Sequence, residues 1–137
     1  MLLIPRKTKY KKVRKGRIKN YDSSSKIYSY GSISLVCIES AYIHAAQLEA
    51  ARQTINRHLI RKGRVWTCVF PDLGVTKRPT QVRIGKGTGD VKYWSFRARP
   101  GRTLFEVDGV EIEEAITALK SGASKLPLKI KLVIFKY

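Results

Sequence analysis

Residues 103–134 read TLFEVDGVEIEEAITALKSGASKLPLKIKLVI, and the period of the apolar pattern changes twice within them. Thr103–Asp108 has the composition of a strand. From Ile112 the apolar residues recur at Ala115, Ile116, Leu119 and Ala123, which is helical spacing. Glu111, Glu113 and Glu114 crowd the first turn of that helix, where the positive end of its dipole favours carboxylates, and Lys120 and Lys125 lie near its other end. Pro127 follows, and Leu128–Ile134 sets Leu128, Ile130, Leu132 and Ile134 against Lys129 and Lys131, the alternation of a strand with one wetted face at its start.

Working outward towards the N-terminus, Lys92–Arg99 alternates Trp94, Phe96 and Ala98 with Tyr93, Ser95 and Arg97, and Pro100-Gly101 turns the chain into residue 103. Thr80–Ile84 suggests a short strand before Gly85-Lys86-Gly87-Thr88-Gly89. Arg64–Phe70 alternates Trp66, Cys68 and Phe70 with Val65, Thr67 and Val69, and Pro71-Asp72 and Gly74 mark turns. Ala41–Arg61 is expected to be helical on a stripe of Ala41, Ala45, Leu48, Ala51, Ile55 and Leu59, with Gly63 stopping it. Ile33–Glu39 suits a buried strand, and 22–31 is turn-rich. Trp66 and Trp94 share strand faces with other apolar residues, so both read as core. The sum is an α+β domain over 22–137, an antiparallel or mixed sheet with two helices, preceded by an extended basic arm over 1–21.

Charge decides what such a domain is for. The 137 residues carry 28 Lys and Arg against 10 Asp and Glu, a formal +18, while 43% hydrophobic content suffices for a core. Repulsion on that scale opposes compaction unless a polyanion answers it. A membrane-surface protein gathers its cations on one amphipathic helix. Here they concentrate outside the helices, in Arg6, Lys7, Lys9, Lys11, Lys12, Arg14, Lys15, Arg17 and Lys19, and again in Lys77, Arg78, Arg83, Lys86, Lys92, Arg97, Arg99 and Arg102 with Asp90 as the sole acid between them. Nucleic acid is therefore the expected partner, with no membrane. Tyr10, within the first block, either stacks on an unpaired base or anchors the arm to the domain.

Catalytic readings fail on spacing. Gly85-x-Gly87 is followed by Asp90 where a dinucleotide loop needs its third glycine, no Walker-type order occurs, and a strand follows where a helix N-terminus is required. Glycine there lets backbone approach phosphates, which suits a hairpin entering RNA. Five of the ten acids lie between Glu106 and Glu114, and the first helical turn accounts for most of them. His44 and His58 have no metal-ligand spacing, and no serine sits in a nucleophile elbow. No catalytic residue, metal, cofactor or small-molecule substrate is expected. Cys37 and Cys68 lie in apolar runs and read as buried hydrophobes of a reducing compartment.

These motifs together resemble large-subunit ribosomal protein sixteen of the bacterial and organellar type, essentially end to end. The resemblance is carried by Pro5-Arg6-Lys7-Thr8-Lys9-Tyr10 with Lys15-Gly16-Arg17, and by Gln47-Leu48-Glu49-Ala50-Ala51-Arg52. The central block adds Trp66-x-x-Val69-Phe70-Pro71-Asp72, Thr76-x-x-Pro79 and Val82-Arg83-Ile84-Gly85-Lys86-Gly87-x-Gly89. Tyr93-Trp94, Pro100-Gly101-Arg102, Leu104 to Val110 and Lys125-Leu126-Pro127 complete it. It implies a hammerhead-type α+β fold on large-subunit rRNA near the peptidyl-transferase region, beside other ribosomal proteins. It further implies that Arg83, Gly85, Lys86, Gly87 and Gly89 face aminoacyl-tRNA, while the cationic blocks themselves make Arg6 to Arg17 with Lys77, Arg78, Arg97 and Arg99 the residues expected on rRNA. Thr88 stands where the family usually has Lys, and Ile84 where Met is common, so the loop has one cation fewer. Abundant Ile, Lys and Tyr point to an AT-rich genome, and the first twenty residues contain no serine for a transit peptide. An organellar ribosome is expected, mitochondrial ahead of plastid, with a bacterial cytoplasm as the alternative. The competing function is an RNA-binding or chaperone protein outside the ribosome.

Overall fold

The computed structural model describes residues 3–22, 30–60 and 62–135. Within them the chain runs β1 (Ile33–Cys37), β2 (Ala41–His44), α1 (Ala45–His58), β3 (Arg64–Thr67), β4 (Leu73–Thr76), β5 (Val91–Ala98), β6 (Thr103–Asp108), α2 (Ile112–Ala123) and β7 (Ile130–Ile134). The fold is α+β with two helices and two antiparallel sheets, ordered β3-β6-β1-β7 and β2-β5-β4.

Within residues 103–134, β6 is an inner strand of the four-stranded sheet and β7 its edge strand. In the four-stranded sheet Val65, Val107, Ile33 and Ile134 form one cross-strand row, and Thr67, Phe105, Leu35 and Leu132 form the next. The alternation within each strand puts these rows on one face. Ile33, Leu35, Phe105 and Val107 are all buried and share a core with Leu48, Ala51 and Ile55 of α1 and Ala115, Ala118 and Leu119 of α2. Gly122 sets how closely the helices cross. A Cβ there would lie 2.5 Å from Ile55 Cγ1 and 3.3 Å from the Ala51 carbonyl oxygen.

The opposite face of the same sheet carries Trp66, Glu106 and Ser34 in a row. Glu106 is 2% exposed, and its Oε2 accepts the backbone N–H groups of Tyr30 at 2.8 Å and Gly31 at 3.1 Å. A buried carboxylate is tolerable when charge-assisted hydrogen bonds meet it, and these two fix the chain as it enters β1. The helix-turn explanation for the acids therefore holds for Glu113 and Glu114 but not for Glu106.

Several expectations are corrected. The helix expected from Ala41 begins at Ala45, because Ala41–His44 pair with Ala98–Ser95 of β5 as a strand. At its start the His44 N–H donates to Gln47 Oε1 at 2.9 Å. Ile60, at φ 49°, turns the chain after His58, and Arg61 lies outside the described residues. Gly63 remains obligatory for another reason: at φ +71° its Cα lies so near the Asp108 carbonyl that a Cβ would stand 2.5 Å from the oxygen. Thr80–Ile84 is turn and loop, with the Val82 N–H on the Pro79 carbonyl at 3.3 Å. The strand in that region is β4, at Leu73–Thr76, across the supposed turn at Gly74. Trp66 leaves Val65 to face the core and instead stacks on Tyr30, with ring centroids 6.1 Å apart. Trp94 is half-buried on β5, the central strand of the three-stranded sheet, opposite Gly74 and outside the core cluster that takes Phe96 and Ala98. Phe70, expected on the strand face of Trp66, is exposed beyond the end of β3. Of the turn-rich 22–31, residues 23–29 lie outside the described residues.

Cys37 is buried and Cys68 half-buried, and both are free thiols. Burial pushes Cys37 from 9.0 up to about 12, and burial with the neighbouring Glu106 does the same for Cys68. Both are thus held neutral, an advantage fully present below about pH 9 and lost as pH climbs towards 12. At pH 8, alkylation of either thiol should run about a thousandfold slower in the folded chain than in denaturant, followed by mass spectrometry. Equal rates would contradict this packing.

Candidate nucleic-acid interface

The basic arm lies along the domain. Leu3 starts it inside the core at 5% exposure. The Lys11 carbonyl then passes over Gly74 of β4, where an added Cβ would come within 3.0 Å of its oxygen. Lys12 Nζ donates to the Thr88 carbonyl at 2.8 Å, tying the arm to the glycine loop. The Gly16 carbonyl accepts the Tyr42 hydroxyl at 2.8 Å, and Lys15 Nζ sits 4.5 Å from the centre of the Tyr42 ring. Finally the Asp22 N–H donates to the Pro100 carbonyl at 2.8 Å, and Tyr21 packs on Gly101. Apart from Lys12 and Lys15, the contacts that hold the path come from backbone, apolar and aromatic groups, and the arm's cationic side chains are exposed.

Arg6, Lys7, Lys9, Lys11, Lys12, Arg14, Lys15 and Arg17 are all exposed. So are Lys77, Arg78, Arg97 and Arg99. Arg97 lies opposite Tyr42 on β2, which brings it beside the Lys15–Gly16 stretch of the arm. Arg102 behaves differently: it is half-buried, reaches the Cys68 carbonyl at 3.4 Å and pairs with Asp22 at 3.5 Å. Its charge clamps the β5–β6 turn to the end of the arm.

The glycine loop joins β4 to β5. Its base is closed by the Lys77 N–H on the Asp90 carbonyl at 3.2 Å and by Gly89, whose missing Cβ leaves room for the Lys77 backbone. Its tip is open. Gly85 and Gly87 take φ +91° and +87° with nothing within 4 Å of a built Cβ, and Arg83, Lys86 and an 87% exposed Ile84 surround them. Two positive-φ glycines on either side of Lys86 make a projecting turn that can approach another backbone closely. Gly89, half-buried, packs against the Lys77 backbone at the base of the same loop. Tyr10 is 68% exposed with Lys9 Nζ 5.7 Å from its ring centre, while the arm takes its anchorage from other residues.

Sequence reasoning missed the docking of the arm, which rests on scattered long-range contacts such as Lys12 to Thr88 and Tyr42 to Gly16, and it missed the inward turn of Arg102. The Asp22–Arg102 pair was written in the composition only as two opposite charges eighty residues apart. Among the described residues no group of three His, Cys, Asp or Glu is placed to hold a metal, and no helix is long and apolar enough to cross a membrane.

An α+β domain that presents a docked cationic arm and a projecting glycine loop is, by its surface chemistry, a polyanion-binding protein. The family model described as Ribosomal protein L16p/L10e matches residues 5–133, and the chain belongs to that family. It is 48% identical over 132 residues to the large ribosomal subunit protein uL16 of Erythrobacter litoralis (strain HTCC2594), covering 96% of this chain and 92% of the relative. It is 47% identical to the proteins of the same name from Sinorhizobium medicae (strain WSM419) and Sinorhizobium fredii (strain NBRC 101917 / NGR234), with 96% of each chain covered.

Proposed function

We propose that this chain is a structural constituent of the large ribosomal subunit, binding its rRNA and helping to shape the aminoacyl-tRNA site. The family is one of ribosomal proteins, structural rather than catalytic. The observation that carries the reading is the contact between Lys12 and Thr88, which unites arm and loop into one cationic surface. Residues 1–21 act as the arm and 22–137 as the domain beneath it. Arm residues Arg6 to Arg17, with Lys77, Arg78, Arg97 and Arg99, neutralise phosphates where RNA helices converge; neighbouring ribosomal proteins abut the same particle. Contacts go chiefly to backbone and shape, since the deep major groove of A-form RNA hides its base edges.

The glycine loop faces tRNA transiently, through Arg83, Gly85, Lys86, Gly87 and Gly89, the last of them at its base. Replacing Arg83 and Lys86 together with Ala should slow tRNA accommodation several-fold while leaving incorporation into subunits near normal; equal loss of both would remove this assignment. The ribosome is organellar and mitochondrial, a reading supported by the Ile-, Lys- and Tyr-rich composition, although the relatives named above are bacterial. Sucrose-gradient fractionation tests the whole: the chain should co-sediment with large subunits at physiological salt. Recovery in light fractions bound to other RNAs would favour an extra-ribosomal chaperone.

A further inference from the structure

We propose that the hollow between the start of the arm and β5 receives a single unpaired RNA nucleobase; this rests on the RNA-binding reading above. The hollow has a volume of about 480 Å³, within the usual range for small planar ligands. Its walls include Leu3, Ile4, Ala45, Val91 and Trp94, and the rings of His44 and Tyr93 meet in it with centroids 3.9 Å apart and a 40° tilt. Tyr93 is 37% exposed and Ile4 42% exposed, so apolar and aromatic surface faces outwards.

The position of this surface says what fits it. Leu3 and Ile4 lead directly into the cations of 6–19, Val91 follows the glycine loop, and Lys92 stands at the rim. A nucleic-acid strand engaged by arm and loop would pass the mouth. Within a nucleotide only the base is both flat and largely apolar, and extruded bases are bound by stacking on aromatic rings. The remaining wall sets its direction. Glu49 is held by Arg52 at 2.6 and 2.9 Å, which with a further bond from Gln53 keeps its carboxylate ionised, its pKa lowered to about 2. Paired with Arg52, that carboxylate offers no cation to a phosphate within the hollow, whereas exposed Lys92 at the rim does, so the base enters and its phosphate stays at the rim. An apolar side chain from a neighbouring protein could fill the same space but would leave the flanking cations unused.

The test uses the full chain and three hairpin RNAs of one sequence: with a single bulged 2-aminopurine, with an abasic residue at the bulge, and without a bulge. The bulged base should bind on the order of tenfold tighter than the abasic bulge, with its fluorescence changing on binding. Tyr93→Ala should abolish that difference and Tyr93→Phe keep it. Ala46→Trp, which fills the hollow from its exposed rim while sparing Tyr93, should abolish it too. Equal, salt-sensitive affinity for all three hairpins would overturn the base site and leave RNA binding standing. So would Tyr93→Ala weakening all three alike. Absence of salt-sensitive binding to any hairpin would instead overturn the RNA-binding reading on which this site depends.

Discussion

Replacing Gly122 with valine is expected to lower the unfolding free energy of the chain by about 3 kcal/mol, read as a drop in the urea midpoint at unchanged slope. On helix propensity alone the substitution should help, since glycine inside a helix costs about 1 kcal/mol relative to alanine. Packing decides otherwise. The first added carbon would meet Ile55 Cγ1 at 2.5 Å and Cδ1 at 2.9 Å, and Ile55 is itself fully buried between the helices. The Ala51 carbonyl, 3.3 Å away, belongs to the backbone of α1 and yields only if the helix moves. Valine adds two further carbons, so α1 and α2 must separate and open the core shared with β1 and β6. Gly122→Ala should also destabilise, by less, and pairing it with Ile55→Ala should recover part of its cost, a coupling that independent sites would not show. If Ala at 122 stabilises the protein, the close crossing is absent in solution.

How far this architecture was legible depends on whether local pattern and long-range contact agree. Thr103–Asp108 and the helix from Ile112 were readable to the residue, because period, capping charges and burial all point one way there. Ala41–His44 misled because its alanine continues the stripe of α1; only the partner strand β5 makes it extended. β4 was hidden behind Gly74, which reads locally as a turn and is in fact required by the Lys11 carbonyl, sixty-three positions earlier. Trp66 shows the limit of alternation as a guide. A period of two separates faces but does not say which is the core, and Val65 takes that side while Trp66 finds Tyr30 on the other.

The candidate interface was legible in kind rather than in form. Cationic blocks are visible in composition, whereas the path that aligns them depends on hydrogen bonds such as Tyr42 to Gly16 that no local pattern records. An arm already resting on its sheet surrenders less conformational freedom on binding than one that must order from a free state.

RNA affinity should therefore be governed by phosphate contact, and raising monovalent salt from 50 to 200 mM should weaken binding to large-subunit rRNA by about a thousandfold or more. Six neutralised phosphates suffice for that loss, and the arm alone offers nine cations. The slope of log affinity against log salt can be apportioned by substitution. Arg14→Gln with Arg17→Gln, both exposed and on the docked arm, should reduce it by about two units, because each phosphate contact contributes close to one. Arg102→Gln removes the same formal charge as one of these, but Arg102 already answers Asp22 and the Cys68 carbonyl. It should lower stability and leave the slope almost unchanged. A shallow salt response would mean that phosphate contact does not govern the affinity, and a slope that falls equally for Arg102 and the arm arginines would mean that net charge rather than the arrangement of these side chains drives association.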